Sequence, residues 1–147
     1  MHKSTDTLTP VEFRRPICED LPSIVKLLLG ISPYSPNPQD FDRIWTEFES
    51  QGRCEALVCI RDMEIIAYGV VLIETKIRGG RIGHIEDVVV RANEQGKGIG
   101  KLLISQLVYQ ASMANCYKVT LHCKQDTSDF YESCGFSVNG NSMQKMI

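Results

Sequence analysis

Three groups of residues in this chain have the types and spacing that chemistry needs. Gln95-Gly96-Lys97-Gly98-Ile99-Gly100-Lys101 sets a glycine at every second position and a lysine on either side of the last two. Glu86 and Asp87 place two carboxylates side by side immediately before Val88-Val89-Val90. Tyr131 follows Phe130 shortly before Gly135. A glycine-rich run next to lysines suits an anion that must approach the backbone closely. Adjacent carboxylates and a phenol are groups able to accept or supply a proton.

The elements around the glycines sharpen that reading. Val88 to Val90 are contiguous and β-branched, the composition of a strand covered on both faces. Ile99, Leu102, Leu103, Leu107 and Val108 recur at helical spacing. The glycines therefore lie where a strand hands over to a helix, whose first turn carries free N–H groups and the positive end of the dipole. A pyrophosphate fits that place. The Walker loop is excluded because Gly96-Lys97 is followed by Gly98 and not by Ser or Thr; the dinucleotide fingerprint is excluded because the spacing is Gly-x-Gly-x-Gly.

The rest of the chain supplies a scaffold. Residues 1–10 are polar and end in Pro10, which predicts a mobile tail, and residues 11–147 form one domain. Val11 to Arg15 reads as an edge strand stopped by Pro16. Asp20 and Pro22 open a first helix that ends at Gly30. Three prolines between Pro33 and Pro38 forbid regular structure and make a stiff connection, a possible substrate wall. Phe41, Ile44, Trp45 and Phe48 mark a second amphipathic helix.

Two β-rich runs, 54–60 and 65–77, flank the turn Arg61-Asp62-Met63-Glu64, and Arg78-Gly79-Gly80-Arg81 turns into the strand that leads to the glycines. After the long helix, Tyr117 to Cys123 alternates as a strand. A short helix holds Phe130 and Tyr131, and Phe136 to Met146 is expected to add one or two final strands. The order is β-α-α-β-β-β-α-β-α-β.

Composition narrows the function classes. Across 147 residues the net charge is −2, and the few arginine clusters make no basic field for nucleic acid. No apolar run approaches a bilayer span, and the start lacks the apolar segment of a signal peptide, so no membrane partner is expected. Six cysteines contain no Cys-x-x-Cys pair; buried free thiols in a reducing compartment, the cytoplasm or an organelle of that character, are expected, with no metal.

The glycine loop resembles the acetyl-CoA pyrophosphate loop of the GNAT N-acetyltransferase superfamily. Gly83-His84-Ile85-Glu86-Asp87-Val88-Val89-Val90, Gln95 to Lys101, Cys116-Tyr117-Lys118 and Phe130-Tyr131 with Cys134-Gly135-Phe136 together resemble the glucosamine-6-phosphate N-acetyltransferase family within it. The resemblance implies an α/β (α+β) GNAT fold with a mixed sheet of about six to seven strands and about four helices. It implies acetyl transfer from acetyl-CoA to an amino-sugar phosphate, by direct attack of the amine, in a homodimer with active sites near the interface.

Residue by residue, the resemblance implies that Glu86 and Asp87 hold the sugar hydroxyls and amine. The backbone of Val88, Val89 and Val90 would pair with the pantetheine arm. Gln95, Gly96, Lys97, Gly98, Ile99, Gly100 and Lys101 would hold the pyrophosphate, and Tyr131 would protonate the departing sulfur. Lys76, Tyr117 and Lys118 would serve the sugar phosphate, the last two across the dimer.

Three positions depart from the family pattern. His122 stands where the family has an acid, and histidine, titrating near neutrality, could relay the amine proton. Thr127 stands for an asparagine near the cofactor. Met146 stands where an arginine grips the phosphate, which leaves Lys145, Lys76 and Arg78 as substitutes. The alternatives are another small or protein amine as acceptor, or a non-catalytic acetyl-CoA-binding protein.

Overall fold

The computed structural model describes residues 9–147. The tail expected over residues 1–10 lies mostly outside that range; its last part is tied down, since Thr9 donates to Asp62 (3.1 Å) and accepts from Arg61 Nε (3.0 Å).

Strands β1 (Glu12–Arg14), β2 (Cys54–Arg61), β3 (Glu64–Thr75), β4 (Arg81–Val90) and β5 (Lys118–Leu121) form one sheet in sequential order. The first four are antiparallel and β5 runs parallel to β4. Helix α1 (Leu21–Leu28) and α2 (Phe41–Ser50) precede β2; α3 (Ile99–Met113) makes the crossover from β4 to β5, and α4 (Ser128–Ser133) follows β5. The β2–β3 hairpin turns on Asp62 and Met63, both left-handed (φ 50° and 64°), the geometry that matches strand twist in a two-residue turn.

Alternation divides the core into two layers. On one face Leu57, Cys59, Ala67, Val71 and Ile85 meet Ile99, Leu103, Leu107 and Ala111 of α3. A Cβ on Gly83 would stand 3.1 Å from the Ala111 methyl and from Val71, so its absence is what lets α3 lie close to β4. On the other face Ala56, Val58, Tyr68, Val70 and Val89 meet Ile24 of α1, with Leu27, Leu28 and Phe48 around them.

The sheet has five strands among the described residues, not six or seven, because the expected C-terminal strands are absent. Residues 134–147 carry no regular element and everything from Ser137 onward is exposed. Gly140 is left-handed (φ 82°), and Val138, Met143 and Met146 face solvent. An extended segment with no neighbour leaves its backbone groups to water and gains no ladder.

The N-terminus of α1 depends on a partly buried ion pair. Arg14 reaches both oxygens of Asp20 (2.6 and 3.0 Å), and the Ile17 N–H donates to Asp20 at 2.8 Å. The guanidinium, helped by that amide, holds the Asp20 carboxyl below its ordinary value despite burial. Such a group stabilises the fold at pH values above the unfolded pKa, ~3.9, and loses that contribution as pH falls through the lower folded value. Asp20→Asn is therefore expected to unfold at lower urea than the native chain at pH 7, with the gap closing near pH 3. Gly83→Ala should cost about 1–3 kcal/mol by overpacking, read from the same urea transitions.

Candidate active site

The site begins with an interruption in β4. Pairing with β5 runs from Ile82↔Lys118 to Ile85↔Leu121 and stops, while β4 continues to Val90 against β3. From Glu86 to Val90 one edge of β4 has no strand beside it, so its N–H and C=O groups on that side are free.

The interruption coincides with a bulge. Val70 pairs with Glu86 and Tyr68 with Val89, so two steps on β3 oppose three on β4, and Asp87 takes up the extra residue at φ +53°. On a regular strand adjacent residues point to opposite faces. Here Glu86 and Asp87 are both exposed, and beyond them the alternation is displaced: Val88 joins Ile85 in packing toward α3.

The glycine loop follows directly. A short turn, Ala92–Glu94, leads to Gln95, whose side-chain amide donates to the Val90 carbonyl (3.0 Å) and ties the loop to the end of β4. Gly96 and Gly98 are left-handed (φ 77° and 82°), and a Cβ on either would meet nothing within 4 Å. Glycine is needed there for conformation, and the space over the loop is open. Gly98 is the N-cap of α3 and offers no side-chain cap, so the first N–H groups of a 15-residue helix face that space. Lys97 and Lys101 stand beside them. These groups fit a diphosphate on backbone donors and the helix dipole.

Helix α4 closes the far side. Gly100 admits the Phe130 ring, which would be 3.0 Å from a Cβ there, with Val90 at 3.8 Å, so the end of β4, the start of α3 and α4 converge. Tyr131 packs edge-on to Phe130 (5.0 Å) and Phe136 (6.1 Å). Burial, reinforced by Cys123 and Cys134 nearby, pushes its phenol above the ordinary tyrosine value, so it keeps its proton at neutral pH. His122 is exposed, one residue beyond the last β4–β5 pair and across the opening from Glu86. Thr127 donates to the Lys124 carbonyl at 2.9 Å, capping its own turn.

A second expected set lies elsewhere. Lys76 and Arg78 sit in the β3–β4 turn, and the Tyr117 ring lies over Gly80 of that turn, with Lys118 Nζ 5.7 Å above the ring. Lys118 pairs with Ile82, five residues before Asp87, a separation of about 16 Å along the strand. One chain does not bring these cations to the two carboxylates. Met146 is 83% exposed in the irregular tail, so no strand sets which way Lys145 faces.

Sequence reasoning missed three features. His84 bridges Glu74 (3.0 Å) and Thr120 (3.0 Å), and Glu74 also holds Lys76 (2.8 Å). Lys76, then His84, pulls the Glu74 carboxyl below its ordinary value. Strand alternation, which puts Ile82, His84 and Glu86 on one face, was the available signal. Glu94 is buried against Arg61, a pairing 33 residues apart that no local pattern announces. Finally, a cavity of about 310 Å³ opens between α1, α2 and the proline-rich connection, walled by Leu28, Tyr34, Trp45 and Phe48 and reaching Asp87. The proline-rich connection contributes Tyr34 and Pro36 to the lining of this cavity. Among the described residues no three His, Cys, Asp or Glu side chains gather as metal ligands.

Comparison with known proteins accords with this geometry. Residues 21–136 match the acetyltransferase (GNAT) family. The chain is 38% identical over 117 residues to glucosamine 6-phosphate N-acetyltransferase of Arabidopsis thaliana, covering 76% of this chain and 78% of that protein. It is 36% identical to glucosamine 6-phosphate N-acetyltransferase 1 of Oryza sativa subsp. japonica, covering 75% and 70%. The crystal structure of the Arabidopsis thaliana enzyme superposes with a TM-score of 0.86 at 33% identity, over 93% of this chain and 98% of that one. A parted β4–β5 pair, a bulged β4 and an uncapped glycine loop at the head of α3, in a chain matched by family from α1 to Phe136, make this protein a member of the GNAT acetyltransferase family.

Proposed function

We propose that this protein is an acetyl-CoA-dependent glucosamine 6-phosphate N-acetyltransferase. The observation that carries the reading is the free edge of β4, Glu86–Val90, running straight into the uncapped glycine loop with both carboxylates exposed at its start. The names of its relatives support the sugar phosphate as acceptor.

Acetyl-CoA supplies an activated acyl group whose sulfur must leave as the amine nitrogen bonds to the carbonyl carbon. The residues of this chain divide that work. Val88, Val89 and Val90 would offer backbone groups to the pantetheine amides, and Gln95 to Lys101 would hold the diphosphate. Glu86 and Asp87 would orient the amino sugar and draw the proton from its ammonium, a contribution of general base catalysis. His122, across the opening, would accept that proton onward. Tyr131, kept neutral by burial, would give its proton to the sulfur and recover it from solvent.

Lys118 lies about 16 Å along the strand from Asp87, and Lys76, Arg78 and Tyr117 lie beyond it toward the β3–β4 turn, which favours a homodimer in which a second copy brings that set to the site. Thr127 would flank the cofactor. The six free cysteines, none of them paired, fit a reducing compartment such as the cytoplasm. Among the described residues no helix is long and apolar enough to cross a membrane.

A second reading is favoured by one observation. The cavity beside Asp87 is walled almost entirely by apolar side chains, so an amine with an apolar body would also find a surface there. The test is release of CoA thiol from acetyl-CoA with glucosamine 6-phosphate, glucosamine or phenethylamine. The phosphorylated sugar should be preferred, and Glu86→Ala should lower its turnover by about 10²-fold or more. Equal or better turnover of phenethylamine selects the second reading; CoA binding without release against any amine makes the protein a binder.

Tyr131→Phe should reduce kcat about tenfold or more while changing the acetyl-CoA KM by less than about threefold. Because burial raises the phenol, the native kcat should hold past the ordinary tyrosine range, ~10, before falling. The variant should lose that alkaline limb. Unchanged kcat would remove Tyr131 from the leaving-group role.

A further inference from the structure

We propose that Glu94 is the positioning residue of the glycine loop: its buried carboxylate clamps the loop to the sheet and so sets affinity for the CoA diphosphate. The proposal rests on the reading of the loop as the CoA site. Glu94 closes the turn between β4 and the loop and is only 6% exposed, rare for a glutamate.

A buried carboxylate persists only when paired, and here three cations from three places converge on it. Arg61, the last residue of β2 and itself nearly buried, bonds Oε2; Lys97, inside the loop, lies 3.4 Å from the same oxygen; Arg91, at the end of β4, lies 3.6 Å from Oε1. Arg91 is held in turn by Glu64 (2.6 Å) and Asn93 (2.8 Å), and its N–H donates to the Ile66 carbonyl at 2.7 Å.

The loop needs such a clamp. Gly96 and Gly98 have no side chain to restrain them, and a Cβ on either would meet nothing within 4 Å, so no packing on that side holds the turn. Ile99 in the core anchors the far end of the loop; at the near end the ties are the Gln95 N–H on Ala92, the Gln95 amide on Val90 and the Glu94–Lys97 contact, which spans Gln95 and Gly96. Glu94 therefore fixes both ends of the tightest part of the loop to β2. It also keeps Lys97 beside the helix N-terminus. Three cations against Glu94 and Glu64 leave the cluster one positive charge in excess, the sign an anion requires. Buried beneath the loop, Glu94 would touch neither substrate, so its effect would belong to binding and not to the chemical step.

The experiment titrates CoA itself into the full-length protein by calorimetry, with acetyl-transfer kinetics alongside. E94Q should weaken CoA about tenfold and raise the acetyl-CoA KM alike. It should leave kcat within about twofold and the glucosamine 6-phosphate KM unchanged. E94Q leaves Arg61 buried against a neutral amide, so the double variant E94Q/R61M, which removes both charges, serves where the single one does not fold. It should melt close to the native chain and still bind CoA about tenfold more weakly. A folded variant that binds CoA as the native chain does overturns the proposal, as does a variant whose kcat and both KM values worsen together. Because CoA binding is read without an acceptor, the identity of the sugar does not enter the comparison.

Discussion

The structure depends on the point at which β4 and β5 stop pairing. Two parallel strands that share a ladder to Ile85 and Leu121 have no hydrogen-bonding reason to part there. What parts them is the extra residue at Asp87, whose left-handed backbone bends β4 while β3 continues to hold it. The bend creates a free strand edge inside a protein, which is ordinarily a liability. Here the edge is short, flanked by two carboxylates, and continuous with the head of α3. A feature that would invite aggregation at a sheet margin here opens inside the fold, between β4 and β5 and beside the glycine loop.

The packing layers explain why this distortion is tolerated. On one side Gly69 and Gly83 let α3 settle against β3 and β4, so the strands are held from below by Leu103, Leu107 and Ala111 whatever happens at the edge. On the other side Tyr68, Val70 and Val89 pack with Ile24 across the bulge itself. The backbone strain at Asp87 is carried by two cores that do not share it. The helix that supports β4 from below also presents its N-terminus to the loop, so one element gives both rigidity and anion affinity.

Charge is distributed in a similar way. Glu74, His84 and Thr120 cross three strands on the sheet face that α1 and α2 leave partly open, while Glu94 and Arg61 sit beneath the loop. The first network lies on the way from the β3–β4 turn to the two carboxylates. The second lies under the glycine loop. Both are made of pairs distant in sequence, and both set side chains that in the unfolded chain have no relation to one another.

How much of this was legible beforehand follows from the range of each interaction. The glycine spacing, the valine run and the helical period of Ile99 to Val108 are local, and they located the loop, the strand and α3 without tertiary information. The hairpin at Asp62-Met63 was local too. The C-terminal strands were misread, because a few apolar residues among polar ones resemble a strand whether or not a neighbour exists to pair with it. That Glu86 and Asp87 are both exposed beside a displaced alternation was decided by a bulge, which depends on register with β3. The burial of Glu94, the bridge through His84, and the distance between Lys76 and Asp87 were decided by the fold alone. The sequence by itself determined which elements form and where an anion can approach the backbone, since those follow from neighbours a few residues apart. The tertiary structure decided which charges meet, because ion pairs and cavities join segments whose separation along the chain carries no periodic trace.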